Sequence, residues 1–197
     1  ERLASVTMLA AQVDFSEPGE LAFFINPSQL TMLEAMMHRE GVLESKQMGG
    51  AFAMLRAQDL LWKPIVDQYL KGERGSMVDL MAWNADGTRM PCRMHTEYLY
   101  RLYLDNELAT NRFPVDGKLI RLSDIRVPMF VVGTETDHVA PWKSVYKVDN
   151  LVRSDDFTFL LTSGGHNAGI VSGPVHPRRH HRVLSRRISD PHLAPQD

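Results

Sequence analysis

The chain has 197 residues, enough for a sizeable core, and its 44% hydrophobic and 23% charged content is that of an ordinary globular protein. A net charge of −2 makes no case for a nucleic-acid or anionic-membrane partner, and a single cysteine excludes an internal disulfide framework and fits a reducing compartment. No apolar run approaches the roughly 20 residues that a spanning helix requires.

Val6–Ala11 is apolar and β-branched enough for one buried strand, and Asp14 stands at its end. From Ser16 to about Arg112 the pattern turns helical. Asn26-Pro27-Ser28-Gln29 reads as a capped helix start with proline at the first position. That helix is predicted to end at Glu40 before Gly41, with Leu30, Leu33, Met36 and Met37 on one face. Glu44–Arg56 and Asp59–Leu70 add helical stretches, weakened by Gly49-Gly50 and by Pro64 respectively. Met81–Pro91 (MAWNADGTRMP) breaks the rhythm with turn-forming Asn, Asp and Gly. Pro91–Asn106 is helical again, with Tyr98, Leu99, Leu102 and Tyr103 as an apolar stripe; Cys92 and His95 read as packing residues in its first turns. About 90 helical residues between two strands exceed an ordinary crossover. They read as an inserted cap, the kind of element that closes over a site and excludes water. The eleven methionines suit irregular apolar packing.

Phe113–Leu122 carries Asp116-Gly117 between apolar stretches, a hairpin signal. Pro128–Gly133 then reads as a buried parallel strand with Asp137 just beyond its carboxyl end. Pro141 and the spacing of Val145, Val148, Leu151 and Val152 predict a helix laid on the sheet. Phe157–Leu161 is the next strand, and Ser163-Gly164-Gly165-His166 leaves it at the same edge. Open α/β sheets keep their chemistry at the carboxyl ends of strands. Asp137 and His166 are therefore the candidate catalytic acid and base, in the acid-before-histidine order of α/β-hydrolases. Asp14, after the earlier strand, is the competing acid. His138 is a candidate for orienting the acid loop. Residues 174–197 form a basic tail with His176, Arg178, Arg179, His180, His181, Arg182, Arg186 and Arg187, expected as a solvated segment. Its histidines lack a Cys or Glu at zinc spacing, so no metal is expected.

Several of these segments carry a resemblance. Leu9–Leu21, Leu80–Pro91, His95–Ala109, GTETDHVAPW (133–142) and TSGGHNAGIV (162–171) resemble class I poly(3-hydroxyalkanoate) synthases, in the same order, from about Leu3 to about Asp190. The resemblance implies an α/β fold: a partial α/β-hydrolase-type parallel sheet with an inserted, mainly helical cap. It divides the chain into a core strand at 1–15, the cap at 16–112, the second half of the core at 113–173 and the tail at 174–197. It implies polymerisation of 3-hydroxyacyl-CoA through a cysteine thioester, with Asp137 and His166 as acid and base. Trp83 and Asn84 become substrate or cap-ordering candidates, and His138 or the basic tail could meet CoA phosphates. No separate cofactor is implied, since CoA is part of the substrate. The expected setting is the cytoplasm at a polyester-granule surface, with a homodimer in the full-length form. The family's nucleophile sits in a G-x-C-x-G elbow, and this chain contains none; Cys92 has no flanking glycines and falls at the wrong place in the order. The chain therefore reads as the C-terminal part of a synthase, inactive by itself. The alternatives are a thioesterase or esterase of the same fold, and a granule-associated relative without chemistry.

Overall fold

The computed structural model describes residues 3–73, 75, 79–173 and 176–187; the end of the basic tail, 188–197, lies outside the described residues. In chain order the elements are β1 (Val6–Leu9), a 3-10 turn (Glu20–Phe24), α1 (Pro27–Glu40), β2 (Val42–Leu43), α2 (Ser45–Leu55), a π turn (Gln58–Trp62), α3 (Lys63–Ile65), a second π turn (Val66–Leu70) and α4 (Asp79–Ala85). There follow β3 (Met90–Pro91), α5 (Cys92–Tyr98), a π turn (Leu99–Leu104), β4 (Pro114–Val115), β5 (Lys118–Leu119), a 3-10 turn (Leu122–Asp124), β6 (Met129–Thr134), α6 (Trp142–Tyr146), α7 (Val148–Leu151), β7 (Asp156–Thr162) and β8 (His181–Arg187). The chain divides into two compact units: Glu1–Ile25 with Tyr100–Asp197, and Asn26–Leu99.

The first unit is built on a sheet of order β1-β6-β7-β8. β1 and β6 run parallel, as do β6 and β7, while β8 pairs antiparallel with β7. Alternation along β6 and β7 turns Met129, Val131, Phe157, Phe159 and Leu161 onto Val145 and Val148 of the two short helices. Tyr146 meets Phe159 edge-on at 4.9 Å between ring centres. Val131, Val145, Val148 and Phe157 are at most 1% exposed, so the tightest packing lies where the two short helices cover the first half of β6 and β7.

Two expectations are corrected. The sheet is mixed, not purely parallel, because residues 181–187 of the supposed solvated tail form β8. An edge strand with one open side tolerates charge, and these charges have partners: Arg186 reaches Asp149 at 2.6 Å and Arg187 reaches Asp156 at 3.3 Å. The helical unit is also shorter than 16–112. Tyr100–Arg112 belongs with the sheet, where Leu102 is buried and the Phe15 and Tyr103 rings lie 4.6 Å apart.

The second unit is held mostly by local structure. Asn26 caps α1, its side chain accepting from Gln29 N–H at 3.0 Å, with Pro27 at the first position and Gly41 in the left-handed conformation at the far end. Glu44 and Gln47 form a reciprocal capping box at α2. Gly49-Gly50 and Pro64 do not stop their helices. The chain around Pro64 goes through π turns, which accommodate the missing donor. Only Leu30, Met37, Leu43 and His95 are buried among the described residues of this unit. Met36 and Tyr98, expected on packed stripes, are 50% and 42% exposed. In the sheet-bearing unit Asp116 (φ 49) and Gly117 (φ 76) make the tight turn between β4 and β5 that the pair signals.

Asn106 anchors the return to the sheet. Its Oδ1 accepts the buried Phe15 N–H at 2.9 Å and its Nδ2 donates to Asp14 Oδ1 at 3.0 Å. Asn106→Ala removes both bonds and should cost about 1–3 kcal/mol. Chemical denaturation should show a lowered midpoint with an unchanged slope.

Candidate active site

Thr134 ends β6, and the acid loop that follows is stitched to the loop after β7 through the main chain. Glu135 N–H donates to the Thr162 carbonyl at 2.9 Å and Thr136 N–H to the Gly164 carbonyl at 3.1 Å. Across this seam His166 Nδ1 lies 2.8 Å from Asp137 Oδ2. The structure thus brings together the two residues that the strand-end rule pairs.

Asp137 is built to be a fixed carboxylate. Its side chain is fully buried. Oδ1 accepts from the amides of Val139 at 2.9 Å and Ala140 at 2.8 Å, an Asx turn closing the loop toward α6. Oδ2 accepts from Thr134 Oγ1 at 3.1 Å besides His166. Burial by itself pushes the carboxyl pKa up. The bond to His166, the Ala140 amide, the electrostatic attraction of the histidine ring and the Val139 amide outweigh it, and the carboxyl stays below its ordinary value. An ionised carboxylate can only accept, so Nδ1 carries the proton and the lone pair is left on Nε2. The His166 side chain is one-third exposed, which leaves the ring accessible from outside the core. That is the arrangement needed to take a proton from a nucleophile.

The histidine loop is a close fit. Thr162 Oγ1 donates to the Gly169 carbonyl at 2.8 Å, and Gly169 N–H closes a turn onto Gly165 at 2.7 Å. A Cβ on Gly169 would lie 2.5 Å from the Thr134 methyl, so only glycine lets this turn settle on the strand end.

The other candidates are placed differently. Asp14 bonds Ser16 N–H at 2.8 Å and Asn106, and its carbonyl accepts from Ser144 Oγ at 2.6 Å. It is a joint of the scaffold, and the hydrogen bond from His166 goes to Asp137 instead. His138 is half-buried in the acid loop, where its carbonyl accepts from Glu20 N–H at 2.9 Å. Trp83 and Asn84 lie on the exposed surface of α4 in the helical unit, not in a turn; the turn begins only at Asp86. Cys92 opens α5 in that same unit, and its amide donates to the Gly41 carbonyl at 2.9 Å. His95 is buried there, and burial lowers its pKa. Among the described residues no three His, Cys, Asp or Glu side chains are grouped to hold a metal ion. Four contributors were not anticipated from the sequence: Thr134, the amides of Val139 and Ala140, and Glu135. The spacing T-x-x-D, a hydroxyl one turn before the acid, was the legible sign of the first.

Fold and site together define an α/β protein with a buried carboxylate aimed at an accessible imidazole across the ends of two neighbouring parallel strands. By sequence the chain is similar to poly(3-hydroxyalkanoate) polymerases over nearly all of its length. It is 40% identical over 175 residues to the poly(3-hydroxyalkanoate) polymerase subunit PhaC of Rhizobium meliloti (strain 1021), covering 89% of this chain and 28% of that protein. To the poly(3-hydroxyalkanoate) polymerase of Methylorubrum extorquens it is 38% identical over 173 residues, covering 88% of this chain and 28% of the relative. To the PhaC subunit of Cupriavidus necator it is 33% identical over 184 residues, covering 90% and 31%. The chain thus spans less than a third of the length of these relatives. No family model matches it.

Because the Asp137 carboxyl titrates lower when folded than its ordinary 3.8, its ionised form adds stability above the unfolded value, lost as pH falls through the folded one. Asp137→Asn should therefore cost about 2 kcal/mol near neutral pH, the scale of hydrogen bonds to a charged group. Unfolding titrations should show the gap between variant and wild type closing only as pH falls below about 4.

Proposed function

We propose that this chain is the acid-and-base part of a poly(3-hydroxyalkanoate) polymerase: the C-terminal portion of an α/β-hydrolase-type core, interrupted by the helical unit as a cap. The observation that carries this reading is the 2.8 Å contact between His166 and a buried, four-fold hydrogen-bonded Asp137, in a chain homologous to polymerases over 89% of its length. The nucleophile is a cysteine carried by the remainder of the full-length protein, since this sequence has no strand-to-helix elbow around a cysteine.

In that reading His166 Nε2 takes the thiol proton, because the thiolate is the reactive form. The sulfur attacks the thioester carbonyl of a 3-hydroxyacyl-CoA. The carbon–sulfur bond to CoA breaks, and the CoA thiolate leaves with the proton from His166. The 3-hydroxyl group of a second unit then loses its proton to His166, and its oxygen attacks the acyl-cysteine. An ester bond forms, the acyl–cysteine carbon–sulfur bond breaks, and the cysteine leaves with the proton from His166, free to accept the growing chain. Asp137 holds the ring with Nδ1–H inward and balances the imidazolium formed in each half-reaction. Asp137 also acts on the elongation step, helping His166 to activate the incoming hydroxyl.

Trp83, exposed at 61%, and Asn84 offer an aromatic face and an amide on the cap for the acyl or polyester chain. His138 orders the acid loop. No cofactor enters, CoA arriving as part of the substrate. The full-length enzyme acts in the cytoplasm at the surface of the polyester granule, as a homodimer.

The test uses the full-length enzyme with 3-hydroxybutyryl-CoA. Insoluble polyester is the expected product, whereas free hydroxy acid would make the protein a thioesterase. His166→Ala should abolish acyl-enzyme formation, a loss of about 10²–10⁴-fold for a missing general base. Asp137→Asn should leave acylation partly intact while elongation fails; equal loss of both steps would confine Asp137 to orienting the ring. Trp83→Ala should raise KM with little change in kcat, as expected for binding shared by ground and transition states.

A further inference from the structure

The segment leading into β8 does more than begin an edge strand. Arg179 is half-buried, and its Nη1 donates to the Ser163 carbonyl at 3.0 Å. The guanidinium lies against Gly164, where any Cβ would overlap it and where φ is +105°. Beside it the main chain pairs: Ser163 N–H donates to the His180 carbonyl at 2.9 Å, and His180 N–H to Ser163 Oγ at 3.1 Å. The next side chains reach the acid loop. His180 Nε2 lies 3.1 Å from Glu135, and Arg182 lies 3.4 Å from the same carboxylate. Residues 179–182 therefore grip both loops, one through Ser163 and Gly164, the other through Glu135.

The geometry matters because the two loops have their own seam. The Gly164 carbonyl accepts from Thr136 N–H, and the Arg179 guanidinium lies against the same glycine where a Cβ would be. His166 begins its turn two residues later. Gly164-Gly165 is the most pliant stretch a backbone can offer. Left uncovered, it would let the imidazole drift from Asp137.

We propose that Arg179 is a positioning residue for His166: its guanidinium, bonded to the Ser163 carbonyl and packed against Gly164, holds the Gly-Gly hinge so that the imidazole stays against Asp137. The assignment rests on His166 being the base. Arg179 acts through the loop and touches neither substrate nor the reacting atoms. Arg is suited and Lys much less so, because only a flat, multiply donating group can cover a glycine and donate to the adjacent carbonyl together.

The full-length polymerase carries the test, with Arg179→Met, Arg179→Lys, Arg179→Ala and His166→Ala assayed on 3-hydroxybutyryl-CoA. Misplacing a catalytic group by an ångström costs on the order of 100-fold, so Arg179→Met should lower kcat about 10–100-fold. KM should move less than about threefold, since ground-state binding is untouched. Arg179→Lys should recover part of the loss. Arg179→Ala should regain activity when guanidinium chloride is added at low, non-denaturing concentration, a response that general destabilisation would not give. Wild-type kcat in Arg179→Met with a dead His166→Ala overturns this inference alone. Activity retained by His166→Ala overturns it together with the function on which it rests. If Arg179→Met fails to fold, the outcome passes to the other two variants: a folded Arg179→Lys at full wild-type kcat, or a folded Arg179→Ala deaf to guanidinium, also overturns it.

Discussion

A carboxylate taken wholly out of water is costly unless its lone pairs are met by donors. Asp137 meets that condition with two amides, one hydroxyl and one imidazole. Each donor constrains a different part of the unit. The amides set the path from the acid loop into α6, and the hydroxyl ties the acid to the last residue of β6. The imidazole ties it to the loop after β7. Move any of these elements and the charge loses a partner, so the local requirement of one buried anion fixes the relative register of two loops. The parallel pairing of β6 with β7, Thr134 opposite Thr162, is what allows one short seam to serve both.

The two compact units are stabilised in different ways. The sheet-bearing unit has a continuous apolar core beneath β6 and β7, with several side chains wholly buried. The helical unit has few buried side chains among its described residues and relies on caps, i,i+4 ion pairs and a two-strand pairing of β2 with β3. Such exposed interactions are individually weak, because solvent screens the charges and holding long side chains costs entropy. The candidate site thus stands on the densely packed unit, and the helical unit is the more weakly packed of the two. The exposed Trp62, Tyr69 and Trp83 leave the helical unit with much apolar surface.

The basic stretch near the end of the described chain shows how tertiary pairing changes the meaning of charge. As a string of Arg and His it reads as solvated, and most of its side chains are indeed exposed. Paired with β7 it acquires fixed carboxylate partners in Asp149, Asp156 and Glu135. Exposed pairs of this kind add little to stability. Their consequence is geometric, since two of them end on the acid loop.

Much of this was legible from residue order. The strands β1, β6 and β7, the Asp116-Gly117 turn, the Asn26 cap and the strand-end placement of Asp137 and His166 all follow from short-range chemistry: β-branched runs, positive-φ pairs, capping side chains and the topology of parallel sheets. The absence of a cysteine elbow is likewise a fact of the sequence. What residue order could not decide were the matters that depend on partners far along the chain. Burial of the apolar stripes was one: Met37 is buried and Met36 half-exposed although both lie on the same predicted face. The recruitment of residues 181–187 as β8, the tether from Asn106 to the segment after β1 and the guanidinium against Gly164 were others. Periodicity states which residues share a face, and capping chemistry states where a helix begins. Neither carries information about what arrives opposite, and that is supplied only when segments more than a dozen residues apart close on one another.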